Sequence, residues 1–366
     1  MHAVVESSLQ TPDPAQPDRT LLFIAGHSGH VGSALLAQLA AQRRRLQNET
    51  GIELCLAGNA NRSELMLTDP DRHGDTHLAS RSEHDWAQII RHLQRIPARS
   101  RLFVDCTADA SVAGSYGDFF EAGIGVVTPN KLANSGTHVD WLALRRQTHE
   151  HDVAYRYETT VGAALPVLGP LADLTRRGDR VQRIEAVLSG TLSFIFQRIN
   201  NGVAFSDAVR EAYTRGYTEP HPASDLAGSD CGRKLLILMR EAGFDWEPER
   251  IRVESLLPTD LDPTLDPERF MAALTEHDAE WTQRAEAARK RSLRLAYLAR
   301  FDGRNAMVGV THVTAGEPFA LLEPGENLVR IWSGHYDPVP LSIAGPGAGP
   351  ALTAAGVLSD ILRASG

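Results

Sequence analysis

The sequence predicts an α/β fold, a doubly wound parallel sheet followed by a second, α+β domain. Three observations carry this expectation. An apolar run at residues 21–25 passes through a glycine-rich turn at 26–32 into a helix-periodic stretch from Ala34, which is how a βαβ unit opens. Strand-like and helix-like segments then alternate to about residue 155, as a parallel sheet with crossover helices requires. Beyond that point glycine and proline punctuate a new order, in which one short strand and a run of helices precede three strand-like segments. The 366 residues suit about two or three domains. With 42% hydrophobic and 23% charged residues, the chain has a globular composition rather than a disordered or fibrous one.

Residues 1–18 read as a disordered tail, because Pro12, Pro14 and Pro17 lie among Ser, Gln and Asp and cannot bury enough apolar surface to become ordered. Residues 19–155 hold the first strand, the glycine turn and its helix. A second strand follows at Glu53-Leu-Cys-Leu-Ala and a third at Leu102-Phe-Val-Asp-Cys-Thr, then a helical stretch around 116–121 and a strand at Gly125-Val-Val-Thr. Residues 156–292 form the second domain, with Val161-Gly-Ala-Ala-Leu-Pro166, a strand near 184–188 and helices to about 291. Strand-like runs at 293–300, 306–313 and 328–332 predict a sheet extension over 293–344, suited to contact between subunits. Gly345-Pro-Gly-Ala-Gly349 leads into a terminal helix, and residues 345–366 are assigned back to the first domain.

Composition excludes several function classes. Lys plus Arg (37) less Asp plus Glu (46) gives −9, a poor match to a nucleic-acid backbone or an anionic membrane surface. The sequence has no run of about 18 apolar residues and no basic segment leading into an apolar one, so neither a membrane span nor a secretion signal is expected. Cys55, Cys106 and Cys231 are too few and too scattered for a disulfide framework or a zinc site. A reducing, cytoplasmic setting is the expectation.

The loop Gly26-His-Ser28-Gly29-His30-Val31-Gly32 sits where a Rossmann-type fold cradles a pyrophosphate, with small residues admitting the ligand and helix N–H groups facing the anion. The G-x-G-x-x-G frame places His27 where its first glycine belongs. Asn59-Ala-Asn61-Arg62 falls near the expected adenosine ribose and lacks the carboxylate that NAD-specific proteins place there. Arg62 could pair a 2′-phosphate, so NADP(H) is preferred with NAD(H) possible; the plainer reading of Arg62 is a solvated surface arginine. Further on, Asp230 and Lys234 are four residues apart on one helical face, an arrangement that alone is usually a surface ion pair. The approach Gly216-Tyr-Thr-Glu219-Pro-His-Pro-Ala-Ser-Asp225 is stiffened by proline and brings two more carboxylates. Such a pocket can grip a substrate ammonium while the lysine handles a proton.

With these residues in view, the chain resembles the homoserine dehydrogenase family, most of all the dehydrogenase portion of bifunctional aspartokinase/homoserine dehydrogenases. The resemblance runs from about Leu21 to Leu362 through Val104-Asp-Cys-Thr107, Val127-Thr-Pro-Asn-Lys131, Val161-Gly-Ala-Ala-Leu-Pro166, Leu188-Ser-Gly-Thr-Leu-Ser193, Gly216-Tyr-Thr-Glu-Pro220, Asp230 to Lys234 and Gly345-Pro-Gly-Ala-Gly349 through Gly356. It implies reversible NAD(P)H-dependent reduction of L-aspartate 4-semialdehyde to L-homoserine, in threonine, methionine and isoleucine biosynthesis. It also implies a second domain serving catalysis and dimerisation, and a homodimer. Residue by residue, it implies Lys234 as proton donor, Glu219 and Asp230 as substrate-binding, and Asp225 as a neighbouring active-site carboxylate. Thr107, Lys131, Gly216 and Gly349 fall at cofactor-contacting positions, with Lys131 also placed to orient or protonate the substrate. Glu158, Val161, Ala163 and Leu165 match a Na⁺ or K⁺ site of one carboxylate and backbone carbonyls, oxygen donors that suit hard cations. This sequence departs from the family pattern at Ala164, where glycine is usual, and at His221, Ala223 and Ser224.

The sequence has too little chain ahead of the first strand for a kinase and ends just after the terminal helix, so a stand-alone catalytic unit insensitive to threonine is expected. Two other readings compete. An aspartate-semialdehyde dehydrogenase would need Cys106 or Cys231 as an activated nucleophile, and a non-catalytic nucleotide-binding paralogue would bind cofactor without turnover.

Overall fold

The structure is a computed structural model and describes residues 18–71, 76–80 and 85–366; the expected tail, apart from Asp18, lies outside the described residues. Two sheets organise the chain. The first has seven strands, β1 (Arg19–Ala25), β2 (Glu53–Ala60), β3 (Glu64–Thr68), β4 (Thr76–Ser80), β5 (Ser100–Asp105), β6 (Gly125–Val127) and β7 (Tyr155–Arg156), in the order β4-β3-β2-β1-β5-β6-β7. Every residue of β1 is buried, since both faces of the sheet are covered, which is why its sequence runs apolar without alternation. Leu21 and Phe23 join a cluster with Phe103 and Phe119 on one face. Leu22 and Ile24 point the other way, toward Leu35 of the helix His30–Thr50 and Ala354, Val357 and Ile361 of the C-terminal helix Pro350–Ser365. The C-terminal helix thus packs on the first sheet.

The sheet differs from the expected one at its edge. Strands β2, β1, β5, β6 and β7 are parallel, but β3 and β4 are antiparallel additions beyond β2. Asn61 makes the hairpin: its side-chain oxygen accepts the N–H groups of Ser63 and Glu64, each at 2.9 Å, a local turn that asparagine forms readily. The order reverses between β1 and β5, and ligand crevices in such sheets open at the carboxyl ends of the strands flanking that point.

The second sheet comprises β8 (Val181–Val187), β9 (Ile251–Val253), β10 (Leu293–Phe301), β11 (Ala306–Thr314), β12 (Glu326–Ser333) and β13 (Leu341–Pro346), ordered β13-β12-β8-β10-β11-β9. Strand β8 lies between β12 and β10, so the segments 156–292 and 293–344 contribute to one sheet. One face packs on helices through a core that includes Phe196, Leu236, Tyr297, Phe301 and Ile331. The opposite face carries a smaller cluster around Val187, Leu298, Val313 and Leu328.

Candidate active site

At the carboxyl ends of β1 and β5, a cavity of about 480 Å³ is lined by Gly26, Ser28, Gly29, Arg62 and Thr107 among others. Glycine is demanded at two positions of the segment that leads from β1 into the first turn of the following helix. Gly26 has φ +78°, and a Cβ on it would stand 2.9 Å from the Cys106 carbonyl oxygen; a Cβ on Gly32 would lie 2.2 Å from the Gly26 oxygen. So Gly26 serves as the leading glycine although it is out of the G-x-G-x-x-G frame. His30 and Val31 begin the helix, with Gly29 at its N-cap position. Arg62 sits on the β2–β3 hairpin turn rather than before a helix. The segment 59–62 carries no acid, yet the fold brings Asp85 and Asp109 into the same cavity as Arg62. Both act as helix caps, accepting the N–H groups of Gln88 and Ser111. The Asp109 carboxyl is held below its ordinary value mainly by Ser111, with a further contribution from the Arg62 charge.

Lys131, Gly216 and Gly349 are not in the lining of this cavity. Gly216, with φ +70°, closes the turn after the helix Phe205–Thr214 by donating to the Tyr213 carbonyl at 2.9 Å. Gly349, with φ +124°, precedes the C-terminal helix. Lys131 instead belongs to a second group of residues. It follows β6 and opens the short helix Leu132–Ser135, and its Nζ lies 3.3 Å from Asp230 Oδ1.

Asp230 occupies the first turn of the helix Ser229–Glu241, and Lys234 follows one turn later. Lys234 Nζ is 2.8 Å from Asp230 Oδ2 and also donates to the Leu188 carbonyl at 2.8 Å, the opening residue of the Leu188-Ser-Gly-Thr run. Asp230 thus lies between two ammonium groups. Burial opposes its charge, but Lys234 and then Lys131 hold the carboxyl well below the usual range. Lys234, with a side chain only 12% exposed, is pushed down by burial and pulled further up by Asp230, so it stays protonated above the ordinary lysine value. A solvated surface pair would not behave this way. Asp225 is close by and is pushed up to about 6, chiefly by burial and further by Glu219 and Asp230, against the opposing Glu219 N–H. The backbone N–H of Glu219 donates to Asp225 Oδ2 at 2.8 Å, so the Pro-bounded loop is fastened to this group. His221 has a local structural role: its Nδ1 accepts the Ala223 N–H at 3.2 Å, capping the helix Pro222–Leu226, while Nε2 donates to the Leu265 carbonyl at 2.7 Å.

Sequence reasoning gave no role to Asp105, which is wholly buried and hydrogen-bonds Thr107, Tyr116 and Asn130. Its signal was present as an acid closing the apolar run Leu102-Phe-Val104 of β5. At the implied cation site, Glu158 Oε1 accepts the N–H groups of Val167 and Leu168, each at 2.6 Å, and Oε2 accepts that of Gly169 at 2.8 Å, at the start of the helix Leu168–Arg176. Three of the roughly four lone-pair positions of a carboxylate are used, leaving one on Oε2. In the turn that follows, Gly162 and Ala163 both have positive φ, +76° and +55°. Among the described residues no cluster of three or more His, Cys, Asp or Glu side chains could hold a metal ion; a site of one carboxylate with carbonyls is of another kind.

Comparison with known proteins bears on the family of the whole chain. A family model described as homoserine dehydrogenase matches residues 166–362, and one described as homoserine dehydrogenase, NAD binding domain, matches residues 28–158. A Zea mays bifunctional aspartokinase/homoserine dehydrogenase 2 is 38% identical over 342 residues, covering 92% of this chain and 37% of that protein. The Haemophilus influenzae bifunctional enzyme is 36% identical over 346 residues, covering 93% and 42%. The chain therefore spans about two fifths of the length of these curated relatives. Among solved structures, a Candida auris protein of unknown function superposes with TM-score 0.83 at 31% identity, covering 94% of this chain and 97% of the other. A hyperthermophilic archaeal homoserine dehydrogenase in complex with NADPH gives 0.70 at 22% identity, covering 94% and 97%; at that identity the likeness concerns the fold. With one family model matched across more than half of the chain and its NAD-binding companion across the first domain, this protein belongs to the homoserine dehydrogenase family.

Proposed function

We propose that the protein catalyses reversible NADP(H)-dependent interconversion of L-aspartate 4-semialdehyde and L-homoserine, a step of amino-acid biosynthesis. The observation that carries this reading is Asp230 held between Lys131 and Lys234, beside the Glu219–Asp225 loop. The nicotinamide cofactor, when bound, supplies or accepts the hydride. As the aldehyde carbon is reduced, negative charge grows on its oxygen, where the Lys234 ammonium donates a hydrogen bond and then the proton. Asp230 holds that ammonium in place, and Glu219 and Asp225 offer carboxylates to the substrate ammonium. Lys131 adds a second positive charge at the substrate. In the oxidative direction the roles invert, and Lys234 must be neutral to take the hydroxyl proton. Assay of homoserine oxidation with NADP and with NAD tests the reading; cofactor binding without turnover would contradict it. Thioester chemistry is disfavoured because burial first, then Asp105, raises the Cys106 thiol far above its ordinary value, and burial pushes Cys231 up to about 12. Neither is an activated thiolate at neutral pH.

For the cofactor, Gly26, Ser28, Gly29 and the start of the helix His30–Thr50 suit a pyrophosphate, and Arg62 in the same cavity suits a 2′-phosphate. Asp85 and Asp109 are engaged as helix caps. Arg62→Ala is expected to raise KM for NADP(H) more than for NAD(H); equal changes would remove Arg62 from the 2′-phosphate site.

The resemblance assigns a Na⁺ or K⁺ site to Glu158 with the carbonyls of Val161, Ala163 and Leu165, and what supports it is the lone pair on Oε2 that the three N–H bonds to Glu158 leave over. A bound cation would brace the 161–165 turn. Titrating each ion into a buffer of bulky organic cations is expected to raise activity; a flat response from ion-depleted buffer to high salt would contradict the site. We also propose a homodimer, for which the edge strands β13 and β9 of the second sheet are candidate contacts. A reducing, cytoplasmic location is the matching expectation for three free cysteines.

A further inference from the structure

We propose that Asp105 is a positioning residue, which holds the turn bearing Lys131 in one frame with the cofactor-side loop at Thr107. This rests on the reading of Lys131 given above.

The strands β5 and β6 end side by side, one leading to Thr107 and the other to Thr128-Pro-Asn130-Lys131. Asp105, the last residue of β5, has no exposed surface. Its Oδ1 accepts the Thr107 N–H at 2.7 Å; its Oδ2 accepts the Tyr116 hydroxyl at 2.6 Å and the Asn130 amide Nδ2 at 3.0 Å. The backbone takes part as well, since the Thr128 hydroxyl donates to the Asp105 carbonyl at 3.0 Å and accepts the Asn130 N–H at 2.8 Å. Asn130 completes the link with Oδ1 accepting the Leu132 N–H at 3.1 Å and Nδ2 donating to the Asp109 carbonyl at 3.1 Å. Lys131 lies between those two fixed residues. A buried carboxylate is costly unless fully hydrogen-bonded; here Thr107 and Asn130 bring one donor from each loop and Tyr116 a third from the helix Tyr116–Glu121. The lysine turn is therefore bonded to the loop lining the nucleotide cavity through one side chain.

The acceptor pattern gives a sharp test. Asparagine at position 105 retains an oxygen for the Thr107 N–H but turns an NH₂ group toward Tyr116 and Asn130. Tyr116 can accept from it and direct its own proton to Thr128 Oγ1, which is 3.0 Å away. The Asn130 amide cannot adapt, because inverting it would break its bonds to Leu132 and Asp109. Asp105→Asn should thus release the Lys131 turn while leaving the Thr107 side intact. Tyr116→Phe should do neither, since Asp105 keeps Thr107 and Asn130.

The experiment measures kcat and both KM values for homoserine oxidation by the full chain. We expect Asp105→Asn to lower kcat about tenfold or more with KM for NADP within about twofold, the scale of a misplaced reacting group. Tyr116→Phe should keep kcat within about threefold. In a Lys131→Met background, Asp105→Asn should cost less than about twofold further, because both act on one interaction. Asn130→Ser, which keeps an oxygen for the Leu132 N–H but loses the reach to Asp105, should reproduce the kcat loss, and decides the matter if Asp105→Asn does not fold. Multiplicative losses in the double variant, equal losses in kcat and cofactor affinity, or unchanged kcat in folded Asp105→Asn would overturn the proposal. A wild-type enzyme that does not oxidise homoserine would instead overturn the reading of the site on which it rests.

Discussion

Lys234→Met is expected to lower turnover by roughly 10²-fold or more, the usual scale for removing a general acid, with affinity for NADP(H) nearly unchanged. The split follows from position. Lys234 is bonded to Asp230 and to the Leu188 carbonyl and is not in the lining of the cavity that holds Gly26, Ser28, Gly29 and Arg62. Methionine keeps the unbranched apolar stem of the side chain without its ammonium and fits a mostly buried position, so the folded protein should persist while both hydrogen bonds and the proton are lost. Steady-state kinetics in both directions, with cofactor binding followed by fluorescence, checks it. Near-normal turnover by a folded Lys234→Met enzyme would shift the donor's role to Lys131.

Asp230→Asn should act on substrate binding and turnover together, and should also move the pH profile. Removing the carboxylate takes away the charge that lies between two ammonium groups, one of them mostly buried, and loss of an opposite charge favours release of a proton from an ammonium. The sign follows from linkage. Asp230 raises the pKa of Lys234, so its removal lowers that pKa. Homoserine oxidation needs neutral Lys234, so the rising alkaline limb of kcat should shift to lower pH in Asp230→Asn. Semialdehyde reduction needs the ammonium, so its alkaline fall should also come earlier. A profile displaced to higher pH, or not displaced, would contradict the assigned pair. Turnover at neutral pH should fall by about tenfold or more, as orientation of the acid is lost.

Much of this site was legible in the sequence because it rests on local spacing. Asp230 and Lys234 are one helical turn apart, and helix geometry alone puts them on one face. Gly26 and Gly32 could be placed because an apolar strand, a glycine turn and a periodic helix leave one position for such a loop. Asp105 was not legible as a positioning residue: its partners Tyr116 and Asn130 are 11 and 25 positions away, and only the parallel register of β5 and β6 brings Asn130 to it. The antiparallel addition of β3 to β2 escaped because its signal is a single Asn61 turn in the short polar segment 61–64. Likewise, the middle place of β8 between β12 and β10 depends on pairings across more than 100 residues, which periodicity cannot reveal. His221, conspicuous in sequence as a departure from the family pattern, became intelligible only once its ring was seen capping a helix.

The most direct test of the central claim is hydride transfer itself. L-Aspartate 4-semialdehyde and NADPH deuterated at the nicotinamide C4 are incubated with the full chain, and the product is identified by mass spectrometry. The account predicts L-homoserine carrying one deuterium at C4, formed rapidly by wild type and at roughly a hundredth of that rate or less by Lys234→Met. NADPH that binds yet yields no homoserine, or an oxidised acyl product in its place, would contradict it.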